Sequence, residues 1–132
     1  RPPPPPHSPP LPHRLPSPVA EEIKPPPRLL SAGYDIDSDE PLGAMDVTPK
    51  GFAILTSLVM KLAHSCCQGK LVVTLEGGYH LGGLRESVKT TLKELTGNSV
   101  LPGAHEGTGL SGTTERIMEE VRKVQKAFWT AL

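Results

Sequence analysis

Apolar positions recur at helical spacing in three stretches of the chain and run nearly unbroken in a fourth, which predicts three helices and a strand. Phe52, Leu55, Val59, Leu62 and Cys66 share one helical face. Thr48 is the N-cap of that helix, Pro49 fits its first position, and Gly69 is the natural stop. The segment "KLVVTLE", residues 70–76, has the β-branched, continuous apolar character of a strand buried on both faces, as in a parallel sheet. Leu81, Leu84, Val88, Leu92 and Leu95 align on a second helix that Gly97 ends. Leu29 to Tyr34 reads as a shorter strand, preceded by a helical fragment from Pro18. After a glycine-rich loop over 98–112, Thr113 or Thr114 caps a last helix reaching Leu132. Ile117, Val121, Val124 and Phe128 form its stripe, expected to pack outside the sheet, and Glu119 and Lys123 an i,i+4 ion pair.

The order is strand, acidic loop, helix, strand, glycine turn, helix. This βαβα series predicts an α/β fold, because a right-handed crossover sets the two strands parallel in one sheet. Ligands of open parallel sheets collect beyond the carboxyl ends of the strands. The acidic loop after the first strand and the Gly-Gly-Tyr turn after the second are therefore expected on one functional edge.

Composition restricts where such a fold can lie. Of the 16 prolines, 13 fall within residues 1–27. Residues 1–18 are expected as a disordered, extended proline-rich arm that adds nothing to the core, and residues 19–132 as the folded part. PxxP spacings such as Pro9 to Pro12 suit SH3-like grooves, so the arm could also recruit a partner. Fourteen basic residues balance fourteen acidic ones with no basic block, which argues against nucleic acid. The apolar runs fall short of the ~18–20 residues of a membrane span, and the N-terminus lacks signal-peptide order, so the cytoplasm is the expected location. Cys66 and Cys67 are adjacent and read as small helix-end side chains.

Candidate chemistry concentrates on the two loops. Asp35, Asp37, Asp39 and Glu40 lie within six residues, but "DIDSDE" lacks the sixth-position glycine and the distant closing glutamate of a calcium loop. Carboxylates there could supply a ligand to zinc, with other ligands from elsewhere. His7, His13, His64 and His105 are scattered and form no zinc-binding pattern. In "LEGGYHLGGLRESV" Gly77 and Gly78 allow a sharp turn that carries Tyr79 to the sheet edge. Its phenol could donate a hydrogen bond to a developing oxyanion, or it could be a turn tyrosine that caps the core.

"SAGYD", an acid before "PLG", "MDVTPKGF" and "LEGGYHLGGLRESV" together resemble the C-terminal third of the zinc-dependent histone deacetylase family, closest to its bacterial acetoin-utilisation and acetylpolyamine amidohydrolase branch. The resemblance covers roughly residues 18–97. It implies part of an arginase-like α/β domain with a parallel sheet and flanking helices, and zinc-dependent hydrolysis of acetyl-lysine or acetylpolyamine amides. Tyr79 falls on the tyrosine that stabilises the oxyanion, Gly77 and Gly78 line the acyl channel, and Asp35 shapes the loop. The metal-ligating aspartate falls on Glu40, with Asp39 able to substitute, and His80 stands where asparagine is usual. The family's paired general-base histidines and its Asp-x-His zinc pair have no counterpart in these 132 residues. The expectation is a deacetylase fragment arising by truncation, frameshift or gene splitting, inactive alone, with the N-terminal half or a self-dimer as partner. The alternative expectation is a noncatalytic α/β interaction module with a proline-rich partner-binding arm. A nucleotide-binding reading fails, because "EGGYHLGG" is neither GxGxxG nor a P-loop.

Overall fold

The structure, a computed structural model, describes residues 16–23, 28–41, 43, 45–101 and 111–132. The PxxP segment, the triple proline at 25–27, His7, His13 and His105 lie outside the described residues. Six elements follow one another: α1 (Pro16–Ile23), β1 (Arg28–Gly33), α2 (Pro49–Cys67), β2 (Leu71–Glu76), α3 (Leu81–Leu95) and α4 (Gly112–Gln125). They fall into two compact units, one of Pro26–His105 with β1, α2, β2 and α3, the other of Arg1–Pro25 and Glu106–Leu132 with α1 and α4. No described helix is long and apolar enough to cross a membrane.

In the first unit β1 and β2 pair in parallel, from Arg28 opposite Leu71 to Gly33 opposite Glu76. This is the βαβα arrangement that the apolar pattern predicts, a partial α/β sheet with flanking helices. Thr48 caps α2 by accepting from the Gly51 amide at 3.3 Å. At its end Gln68, one residue before the expected glycine stop, turns left-handed at φ 58°. Cys66 and Cys67 are both free thiols, and Cys67 is buried.

The buried faces differ from the predicted ones. On α2 the buried side chains are Phe52, which belongs to the predicted stripe, and Ala53, Thr56, Leu58, Ala63 and Cys67, which do not, while Leu55 of that stripe is exposed. On α3 the buried row is Gly83, Ser87, Thr91 and Glu94, and Leu81 and Leu92 are exposed at 79% and 54%. At ~100° per residue these leucines lie about 125–145° around the helix from the centre of the buried row. A polar row can be buried because its groups are partnered. Tyr34 donates to Thr91 at 3.1 Å, Thr56 and Thr91 meet at 3.4 Å, and Glu94 accepts from the Ser99 hydroxyl and the Val100 amide at 2.8 Å each. Tyr34 also stacks on Phe52 with ring centroids 4.9 Å apart.

β2 is not buried on both faces. Val72 and Leu75, whose side chains point to opposite sides of the strand, are exposed at 49% and 59%, and Leu29 on β1 at 79%. Its composition suits a fully covered strand, but the described residues do not supply both layers.

The second unit starts earlier than the sequence suggests. α1 begins at Pro16, inside the stretch read as extended, since proline is tolerated in a helix's first turn. Ser111, not Thr113 or Thr114, caps α4, accepting from the Thr114 amide at 3.2 Å, and the helix ends at Gln125. The stripe expected to pack is open, with Ile117, Val121, Val124 and Phe128 exposed and only Met118 of α4 buried. Glu119 pairs with Arg122 at 3.3 Å and not with Lys123.

Candidate functional site

The strand ends bring the two loops together. A bond from the Tyr34 amide to the Gly77 carbonyl, 3.2 Å, carries the β1–β2 pairing one step beyond the sheet, so the acidic loop and the Gly-Gly-Tyr turn leave the same edge in register. The acidic loop is closed by an isolated bridge between Asp37 and Val47, with Val47 donating to Ile36 at 3.0 Å and Ser38 to Val47 at 3.1 Å.

The turn after β2 requires its glycines. Gly77 and Gly78 have φ of 34° and 113°, in the region where a Cβ is strained. Space is closed as well: a Cβ on Gly77 would meet the Asp35 carboxylate at 3.1 Å, and one on Gly78 would meet Leu84 and Tyr34 side-chain atoms at 2.9 Å. Tyr79 stands next in the chain with 70% of its surface exposed. It does not cap the core, and that half of the alternative falls away.

The four carboxylates do not converge. Asp35 lies against Gly77. Asp37, 2% exposed, accepts from the Ser87 hydroxyl on α3 at 2.5 Å, and its other oxygen accepts from the Asp39 amide at 2.9 Å. Asp39 is exposed. Glu40 is buried, and its Oε2 accepts from the backbone amides of Tyr79 at 2.7 Å and His80 at 3.0 Å. Each loop is thus held by a carboxylate: Asp37 ties the acidic loop to α3, and Glu40 ties it to the turn.

His80 caps α3. Its Nδ1 accepts from the Gly83 amide at 3.1 Å, which satisfies one of the orphan donors at the helix start. The imidazole thereby performs the capping that the shorter side chain of asparagine also performs.

The donor chemistry of these residues does not fit a zinc centre unaided. Among the described residues no three His, Cys, Asp or Glu side chains are placed to hold one ion. Asp37 faces Ser87, and Oε2 of Glu40 faces two amides. A zinc ion at this edge would need ligands that these side chains do not supply.

The sequence singles out Tyr79, Gly77, Gly78 and the acidic loop, and does not single out Ser87, Thr91, Tyr34 and Gly83, which the structure packs beside them. The available signal was the small residues at 83, 87 and 91, spaced as one helical row, which marks a face approached closely by something else.

Known proteins share this sequence and this architecture. The histone deacetylase domain model matches residues 11–95. Histone deacetylase 18 of Arabidopsis thaliana is 36% identical over 115 residues, which cover 87% of this chain and 16% of that protein. The polyamine deacetylase HDAC10 of Danio rerio is 40% identical over 114 residues, covering 86% and 16%. The chain therefore spans only 16% of the length of either relative. Among solved structures, the HD domain of HDA15 superposes with a TM-score of 0.74 at 32% identity, over 91% of this chain and 30% of that one.

Proposed function

This chain belongs to the histone deacetylase domain family, and on that premise we propose that it is the tyrosine-bearing portion of a deacetylase domain, inactive by itself. The reaction is hydrolysis of an acetyl-amide. Relatives named as histone and polyamine deacetylases favour acetyl-lysine and acetylpolyamines as the substrate classes.

One observation carries this reading: an exposed phenol, Tyr79, stands on a glycine turn at the carboxyl edge of a parallel sheet, with its own amide fixed by Glu40. In this role Tyr79 donates to the carbonyl oxygen as negative charge develops there. A fixed donor is effective because no reorganisation is needed at the moment of reaction. Gly77 and Gly78 keep the adjoining backbone free of side chains, so an acyl group can pass close to it. The attacking water must lose a proton, and no histidine pair in these 132 residues can accept it. Base and metal ligands must come from polypeptide beyond this stretch, and the zinc of the family belongs to that assembled domain.

The test is a zinc-supplemented deacetylation assay on acetyl-lysine peptides and acetylspermidine with the isolated chain. No turnover above background is expected. Robust turnover by the chain alone would overturn the proposal.

A further inference from the structure

We infer that Glu40 is a positioning residue for the Tyr79 turn, acting through Oε2 as the shared acceptor of two consecutive backbone amides. For catalysis the inference rests on the reading of Tyr79 as oxyanion donor; the hold itself rests on geometry alone. Glu40 and the two amides are 39 and 40 residues apart in sequence, so these bonds are a tertiary link that holds the Tyr79 end of the turn, as the Tyr34–Gly77 bond holds its start. The two glycines before Tyr79 have conformational freedom and cannot fix the turn themselves. On the other side of Tyr79 the backbone is held firmly: the His80 amide donates to Glu40 while the His80 ring accepts from Gly83. Tyr79 is thus gripped on its own amide and on the next residue, and its exposed ring projects from a fixed backbone.

Glu40 is itself anchored. Its amide donates to the Asp37 carbonyl at 3.1 Å, and the Asp37 side chain is bonded to Ser87. The chain of contacts runs from α3 through Asp37 and Glu40 to the turn that starts α3, a closed circuit of hydrogen bonds around Tyr79.

Reach distinguishes this role from metal ligation. Removing one methylene withdraws the carboxylate by about 1.5 Å, the length of one carbon–carbon bond. That carries the present contacts of 2.7 and 3.0 Å beyond hydrogen-bond distance. Glutamine keeps the reach and one carbonyl acceptor but lacks the charge that a cation needs. A backbone-holding residue therefore tolerates Glu40→Gln and not Glu40→Asp, whereas a metal ligand tolerates Glu40→Asp better than Glu40→Gln.

The experiment is hydrogen exchange at residue resolution on the full 132-residue chain, as wild type, Glu40→Gln, Glu40→Asp and Glu40→Ala, each with and without zinc. Amides within α2 report global folding. Expected are protected Tyr79 and His80 amides in wild type, unchanged by zinc; exchange within about threefold of wild type in Glu40→Gln; and exchange roughly tenfold faster in Glu40→Asp, the factor one net hydrogen bond is worth. Should Glu40→Ala unfold, the Gln and Asp variants still decide. Equal exchange in the Asp variant and wild type, or loss of protection in the Gln variant while Asp retains it, would overturn the inference. Repeating the set with Tyr79→Phe separates the two ideas, because the hold persists there even if the phenol has no chemical role.

Discussion

A Cβ on Gly83 would come within 2.5 Å of Asp37 Oδ1 and 3.0 Å of its Cγ. Glycine inside a helix ordinarily loses ~1 kcal/mol to alanine, so Gly83→Ala should stabilise α3 if propensity decided. The opposing effect is larger. Asp37 is buried and bonded to Ser87 and to the Asp39 amide, so it cannot swing aside, and forced overpacking costs typically ~1–3 kcal/mol. Gly83→Ala should lower the melting temperature, and the same change made on an Asp37→Ala background should lower it much less; thermal denaturation by circular dichroism reads both. An additive double variant would mean that Gly83 matters for another reason. At this scale the sequence was partly legible: Gly77, Gly78 and Tyr79 could be singled out because unusual backbone needs leave glycines behind. Asp37 was visible only as a member of an acidic cluster and Glu40 only as a candidate metal ligand, since spacing does not reveal which amide or hydroxyl a carboxylate will meet.

Leu92 does not take its expected place in its helix. Periodicity assigns it to the buried stripe, and the structure exposes Leu92 and buries Ser87 instead. Ser87→Ala leaves a buried Asp37 oxygen without its donor and should cost about 1–3 kcal/mol in chemical denaturation. Leu92→Gln, at an exposed site, should change stability by less than about 0.5 kcal/mol. The reverse ranking would restore the apolar stripe as the packed face of α3. The strands, the helices and their parallel order were legible, because those follow from local periodicity and chain connectivity. The buried faces were not, because the fold satisfies a polar row through partners distant in sequence, and because the described residues leave much of the apolar stripes exposed. In the other unit, the Ala131 amide bonded to Glu22 at 2.9 Å holds that carboxyl below the ordinary glutamate range. A depressed folded-state pKa means that the contact contributes above the unfolded value and is lost as pH falls through the folded one. The Ala131 amide resonance should therefore shift on acidification with a midpoint below that of an unstructured glutamate, and Glu22→Gln should abolish the shift.

For the whole molecule, the exposed Leu29, Val72, Leu75, Leu81 and Leu92 lie in the unit that carries Tyr79. Apolar surface of this kind, beside a sheet of only two described strands, favours association. Light scattering after size exclusion should find the isolated chain as dimers or larger species, and Leu29→Lys with Val72→Lys should shift it toward the 14.1 kDa monomer. A well-behaved wild-type monomer would show that these faces need no cover. The deacetylase reading makes a sharper demand, because the chain spans 30% of the HDA15 domain structure it superposes on. The most direct measurement is deacetylation by this chain mixed with a family member's N-terminal portion, one that ends where the similarity to this chain begins, using wild type and Tyr79→Phe. Neither part alone should turn over substrate, and the mixture should. Tyr79→Phe should lower the mixture's turnover by about 10²–10³-fold, the usual effect of removing one oxyanion donor. Turnover by this chain alone, or a mixture equally active with phenylalanine at position 79, would contradict the assignment.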